Sequence, residues 1–298
     1  MDTALGLLPD FLLILLGYGL RRWLHLGDHF WTGLEKLVYF ILFPALLFNS
    51  LARADLAWTK AAPLLATGLL VMLTGMALGA LARWLFAMSR SSFASQFQCA
   101  FRFNTYIGLA VAAALFGRDG LVAMGLLTGA MVVPANIAAV GMLARLGGAS
   151  VWRELARNPL LLGTLAGLLW NVSGLPVPAP ITHLFGRLAD AAIALGLLAV
   201  GSALRLRGRP GGGYGAATWF LAVKLVALPL AAIALAHWLG LGGTYFGVAL
   251  AFAALPTASS AYILAQRMGG DGTSVAWLIS AGTLAAMVTL PLWLAFGR

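Results

Sequence analysis

The stretches "FRFNTYIGLA" (101–110) and "ALAFAALPTASSAYILA" (249–265) decide the fold of this chain. Each interrupts a long apolar run near its middle. The second carries Pro256, which removes a backbone donor and clashes with the preceding turn. The first has no proline, yet Arg102, Asn104, Thr105 and Gly108 crowd the same place. In hydrocarbon a freed backbone group costs several kcal/mol unless something pairs with it. Breaks of this kind are tolerated where they line a cavity. The plainer alternative is a proline kink whose freed groups are satisfied locally by Thr257, Ser259 and Ser260.

The rest of the chain is hydrocarbon-like. It is 61% hydrophobic and 9% charged, with a mean hydropathy of +0.93. Soluble proteins carry roughly 25% charged residues, so this composition predicts an integral membrane protein. The apolar runs suit helices, which need about 20 residues to span, and no alternating barrel pattern is present. The net charge of +10 does not suggest a nucleic-acid partner, because most arginines sit at the ends of apolar runs, as topology signals do. Cys99 is the one cysteine, which excludes an intrachain disulfide and a cysteine metal site. In "MDTALGLLPDFLLILLGYGLRR" (1–22) the arginines follow the apolar core, which argues for a first span rather than a cleaved signal peptide.

Ten spans are predicted, at 4–20, 32–52, 61–87, 95–116, 119–145, 159–174, 182–205, 214–239, 244–267 and 272–296. The first, third, fifth, seventh and ninth loops hold Arg21, Arg22, Arg83, Arg90, Arg145, Arg153, Arg157, Arg205, Arg207, Arg209 and Arg267. The even loops hold little beyond Arg53, Lys60 and Arg118. Positive charge stays inside, so both termini are expected outside the cytoplasm of an inner (plasma) membrane.

Several features recur at one offset. Ser50 and Arg53 lie 152 residues before Ser202 and Arg205. Asn104-Thr105 lies 152 before Pro256-Thr257, and "GRDG" (117–120) lies 152 before "GGDG" (269–272). A duplication into two halves of five spans inverts the second copy, the signature of secondary transporters whose site lies at the midplane. Asp119 and Asp271 each precede a predicted helix and read as N-caps. In the second span Pro44 frees a carbonyl one turn back, with Asn49 and Ser50 one turn on, so this span either lines the same cavity or is merely kinked.

"LVYFILFPALLFNSLARADL" (37–56), "FRFNTYIGLA" (101–110), "RNPLLLGTLAGLLWN" (157–171) and "LPTASSAYILAQRMGGD" (255–271) together resemble the bacterial branch of the auxin efflux carrier family. That family includes plant PIN-type auxin carriers and malonate or other organic-acid permeases. The resemblance implies an all-α polytopic fold, bile-acid-symporter-like and NhaA-like, with two inverted five-helix repeats and crossed, broken fourth and ninth helices. It implies a scaffold at 1–58 and 159–210 that dimerises, and a transport part at 59–146 and 211–298 that moves in an elevator-like manner. The family's crossover asparagine and proline fall on Asn104 and Pro256. Two departures are plain. The fourth span has no proline, so Asn104 and Gly108 must permit its break. The third span, "LLATGLLVMLTGMALGALA" (64–82), lacks the acidic–basic pair of plant members.

Ionisable residues inside a membrane are functional candidates. Arg102 either contacts substrate or reaches helix ends and the interface. Lys224, at the centre of the eighth span, either counters an anionic substrate or binds helix-end carbonyls. Asp190 reads as structural, paired with Arg187 one turn away or with Lys224, and Asp10 as interfacial. No carboxylate lies in the crossover spans, and two cations lie nearby, which favours an anionic substrate. The expected function is secondary transport of small organic anions bound by Arg102, Asn104, Thr105, Pro256, Thr257, Ser259 and Ser260, with Pro44, Asn49 and Ser50 adjoining. The alternatives are an anion channel or a sodium-coupled symporter, with sodium held by carbonyls and the hydroxyls of Thr257, Ser259 and Ser260. No enzyme, cofactor or metal is expected: HExxH and paired intramembrane aspartates are both absent from the sequence.

Overall fold

A computed structural model describes residues 2–24, 26–54, 58–143, 158–205, 208 and 210–296. His25 and five of the loop arginines (Arg145, Arg153, Arg157, Arg207 and Arg209) lie outside the described residues. The described residues form helices joined by short connections, with no strand among them. In chain order these are α1 (Asp2–Trp23), α2 (Asp28–Leu51), α3 (Trp58–Leu85), α4 (Arg90–Phe97), α5 (Thr105–Leu143), α6 (Pro159–Ser173), α7 (Ala179–Ser202), α8 (Gly213–Trp238), α9 (Gly243–Ala254), α10 (Ser260–Arg267) and α11 (Gly272–Phe296). A 3₁₀ turn, Gln98–Ala100, extends α4. Six segments are long and apolar enough to cross a membrane: Asp28–Leu51, Ala61–Leu85, the run Arg90–Leu143, Ala179–Ser202, Gly213–Trp238 and Gly272–Phe296. Pro159–Ser173 and Gly243–Ala254 are apolar but shorter.

Local chemistry sets these elements. Ser89 caps α4, its hydroxyl accepting from the Ser92 N–H, and Asn158 caps α6 ahead of Pro159. Both are preferred N-cap residues, and proline suits the first helical turn. Within the membrane-length helices, Thr67, Thr74, Thr128, Thr283 and Ser280 return their hydroxyls to the carbonyl four residues back, so none of these five hydroxyls faces hydrocarbon alone.

Two helices contain a wide π turn, Val38–Leu42 in α2 and Val223–Ala227 in α8. Each precedes a proline, Pro44 and Pro229. A proline clashes with the carbonyl four residues back and leaves it without a donor. Those carbonyls belong to Phe40 and Leu225, inside the two π turns, where the wider winding makes room for the ring. The Leu225 carbonyl is then taken by the Trp293 indole, whose Nε1 donates to it at 2.8 Å.

α1 lies along α7 with backbones nearly touching. A Cβ at Gly17 would overlap the Leu198 carbonyl, and one at Gly201 would overlap the Ile14 carbonyl. Small residues allow such close approach where helices associate without a hydrophobic driving force. α2 packs on α6 and α7, and α9 on α5, α8 and α11.

The loops gather on two faces. On one, Arg21 donates to the Ser202 carbonyl and pairs with Asp28 at 2.5 Å. There Asp271 also accepts from Ser92 and from Ser274, while Gln96 donates to the Gly211 carbonyl. This is the face of the predicted basic loops. On the opposite face Arg118 donates to the Arg53 carbonyl and Asn171 to the Ala54 carbonyl.

The structure corrects several expectations. The second helix begins at Asp28 rather than 32, and the predicted 95–116 helix begins at Arg90 and breaks over 101–104. Asp271 caps α11 through the Ser274 N–H, but Asp119 is exposed and caps nothing. Helical bonding resumes directly after Gly117 (φ 60°, ψ −144°), the one non-helical residue within α5, so Asp119 falls inside the helix instead of ahead of it. Asp190 and Arg187 are both exposed, and Asp190 pairs with neither Arg187 nor Lys224 among the described residues.

Candidate functional site

The two breaks meet. Residues 101–104 and 255–258 are non-helical, and four hydrogen bonds join the interrupted helices. The Asn104 N–H donates to the Pro256 carbonyl at 2.9 Å. The Thr257 hydroxyl donates to the Cys99 carbonyl at 3.0 Å. Gln98 Nε2 donates to the Ala261 carbonyl at 3.1 Å, and Arg102 Nη2 to Ser260 Oγ at 3.0 Å. Phe103 and Phe252 pack beside them with ring centroids 4.6 Å apart. Each break thus supplies partners for the other's freed backbone, as the low dielectric demands.

Asn104 explains how the first break forms without proline. Its Oδ1 accepts from the N–H groups of Tyr106 at 3.1 Å and Ile107 at 3.3 Å. Its carbonyl takes the first intrahelical bond, from Gly108. This is an N-cap, so Asn104 restarts the helix that Arg102 and Phe103 interrupt. Its Nδ2 donates to no protein group among the described residues. Gly108 lies against Leu255, where a Cβ would meet the leucine side chain at 2.8 Å.

A cavity of about 590 Å³ opens beside this crossing. Arg102, Asn104, Thr105, Ser259 and Ser260 line it. The other expected site residues do not. Pro256 and Thr257 bind the opposite break, Asn49 accepts from Arg53, and Pro44 and Ser50 lie in α2 away from the wall. Lys224 also lies outside it, donating to the Ala253 carbonyl at 3.1 Å. That bond is of the kind one of its two sequence readings describes, a contact with a carbonyl near a helix end.

The cavity also takes in residues that sequence reasoning missed: Thr32, Glu35, Lys36, Tyr39, Asn136 and Asn158. The first four fall at helical spacing on one stripe of α2, a polar face that was readable in the sequence. Asn136 and Asn158 carried no local signal. Three basic side chains, Lys36, Arg102 and Arg267, stand against one carboxylate, Glu35, in the wall. The N-terminal ends of α5 and α10 also meet there, each with a partial positive charge. Most wall residues belong to the breaks or to the helix halves nearer the basic face. A smaller cavity of about 310 Å³ adjoins it and shares Thr32, Glu35, Ser259 and Ile263.

Known proteins are similar to this chain in sequence. Residues 143–294 match a family described as membrane transport proteins. An uncharacterized transporter from Methanothermobacter thermautotrophicus is 30% identical over 301 residues, covering 98% of this chain and 96% of that protein. A probable auxin efflux carrier component 1c from Oryza sativa subsp. japonica is 28% identical over 193 residues, 63% of this chain. Auxin efflux carrier component 3 from Arabidopsis thaliana is 26% identical over 167 residues. The chain spans only 32% and 26% of the lengths of these two plant carriers. With half the chain matched to the family, and an archaeal transporter aligned along nearly all of it, the chain belongs to the auxin efflux carrier family of membrane transport proteins.

Proposed function

We propose that this transporter carries small organic anions, mono- or dicarboxylates, through the cavity beside the two breaks. The observation that carries this reading is the wall itself: two helix N-terminal ends, Arg102 and the free Nδ2 of Asn104 come together in it. Carboxylates are held at such ends by backbone N–H groups and guanidinium forks. One anion crossing is worth about 2.3 kcal/mol per 100 mV, so an inside-negative potential favours export.

The reading includes ten spans in two inverted repeats. Shifted by 152 positions, Ala179–Ser202 falls on 27–50, beside Asp28–Leu51. Gly213–Trp238 falls on 61–86, beside Trp58–Leu85. Gly117 and Gly269, also 152 apart, both turn with positive φ, 60° and 70°. Residues 1–58 with 159–210 form the scaffold, which pairs with a second copy. Residues 59–146 with 211–298 move against it as an elevator. Both proposed parts contribute to the cavity: α2, α6 and α7 from one, α5, α10 and the breaks from the other. With the basic face cytoplasmic and both termini outside the inner membrane, the cavity opens inward.

The test is a thermal-stability screen of the purified protein against carboxylates, since a ligand of the native state raises Tm. A carboxylate that stabilises the wild type and loses at least tenfold in affinity in Arg102→Ala supports the reading. Stabilisation by neutral or cationic solutes alone overturns it.

A further inference from the structure

Lys224 sits in the π turn at the middle of α8. It is 3% exposed, and its ammonium donates to the carbonyl of Ala253, the last residue but one of α9. The same π turn packs against Gln98–Ala100, the turn that ends α4. Lys224 therefore lies where two interrupted helices present their C-terminal ends. Each such end carries roughly half an elementary negative charge from its aligned peptide dipoles. Two ends gather about one negative charge in the interior, and one ammonium balances it.

Carbonyls at the C-terminal ends of broken helices are where secondary transporters coordinate a coupling sodium ion. We propose that the Lys224 ammonium stands in the place of such a cation, permanently tethered to α8, so that the crossing assembles without sodium. Lys224 is a positioning residue. It holds the end of α9, and with it the extended segment whose Pro256 carbonyl binds Asn104. It is distinct from Arg102, which lines the cavity. A chain built this way has no need of the sodium-coupled alternative, and the negative pole of the crossing is neutralised in every conformation that keeps α8 beside α9.

The inference rests on the transporter reading only for the purpose of the pole. Its test reads the protein without substrate, so an error in the substrate class leaves the result unaffected. The purified protein is melted in equimolar sodium chloride or choline chloride. The wild type should melt at the same temperature in both, and so should Lys224→Arg. Lys224→Ala, which leaves a vacant pole, should melt several degrees lower in choline and recover saturably with sodium. Lys224→Met, which fills the space with an apolar chain, should stay low in both. A sodium-specific rise in the wild type overturns the proposal. So does a Lys224→Ala protein equally weakened in both salts, the result expected of a lysine with only a packing role. Should Lys224→Ala fail to fold, the wild-type comparison decides.

Discussion

The Asn104 N–H and the Pro256 carbonyl are 2.9 Å apart, and through that bond each broken helix answers for the other. Pro256 breaks its helix by lacking a donor. Asn104 breaks its own by capping the helix that follows. One side chain therefore has a structural oxygen and a nitrogen left over for solute.

The two roles separate by substitution. Asn104→Ala removes the cap and should lower stability by about 1 kcal/mol, with loss of anion binding. Asn104→Ser keeps a capping oxygen and removes Nδ2. It should melt close to the wild type while binding the anion at least tenfold more weakly. Melting curves and ligand titrations on the same preparations check both. Equal affinity in Asn104→Ser and wild type would show that Nδ2 makes no contact.

Trp293 and Pro229 offer a double-mutant cycle. The Trp293 indole satisfies the Leu225 carbonyl that Pro229 leaves without a donor. Trp293→Phe strands that carbonyl, at a cost of about 1–3 kcal/mol. Pro229→Ala restores a backbone N–H that can take the carbonyl instead, so Trp293→Phe should cost clearly less in that background. Additive losses in denaturation midpoints would separate the two residues.

Much of this fold was readable because membrane helices announce themselves by length, and breaks by Pro, Asn and Gly. Asp28–Leu51, Ala179–Ser202 and Gly272–Phe296 lie within a few residues of the predicted spans. The site was less legible. Arg102 and Asn104, within the first break, and Thr105, just after it, reach the cavity, whereas Thr257, one residue beyond Pro256, turns back to the Cys99 carbonyl. Which way a side chain faces within an extended segment depends on the segment it packs against, not on its own sequence. Glu35 lies near the start of α2, where a charge in the sequence is indistinguishable from an ordinary interfacial residue. Asn136 and Asn158 reach the wall only through tertiary packing, from the end of α5 and the start of α6.

The contact between α1 and α7 admits no side chain. Gly201→Val would drive its Cβ into the Ile14 carbonyl, and neither backbone can withdraw without unpacking the helix. Overpacking of this kind costs about 3 kcal/mol or more. The expected outcome is a sharp fall in monodisperse protein after solubilisation, with Gly201→Ala intermediate. Normal yield and melting temperature in Gly201→Val would mean the two helices sit farther apart.

Phe43 and Tyr106 supply the test of movement. Their rings stack with centroids 4.3 Å apart and planes inclined by 3°. Phe43 belongs to α2, in the part proposed as scaffold, and Tyr106 to the first turn of α5, in the part proposed to move. If the moving part slides past the scaffold, this stack must break in each cycle. Cysteines at both positions, in a Cys99→Ala background, should be bridged by mercuric ion in the conformation described here. Bridging should abolish transport in proteoliposomes and leave solute binding from the basic face intact, since the cavity opens there. Removing the mercury with excess dithiol should restore transport. Full transport with the bridge in place would mean that α2 and α5 travel together, and the elevator division would have to be redrawn.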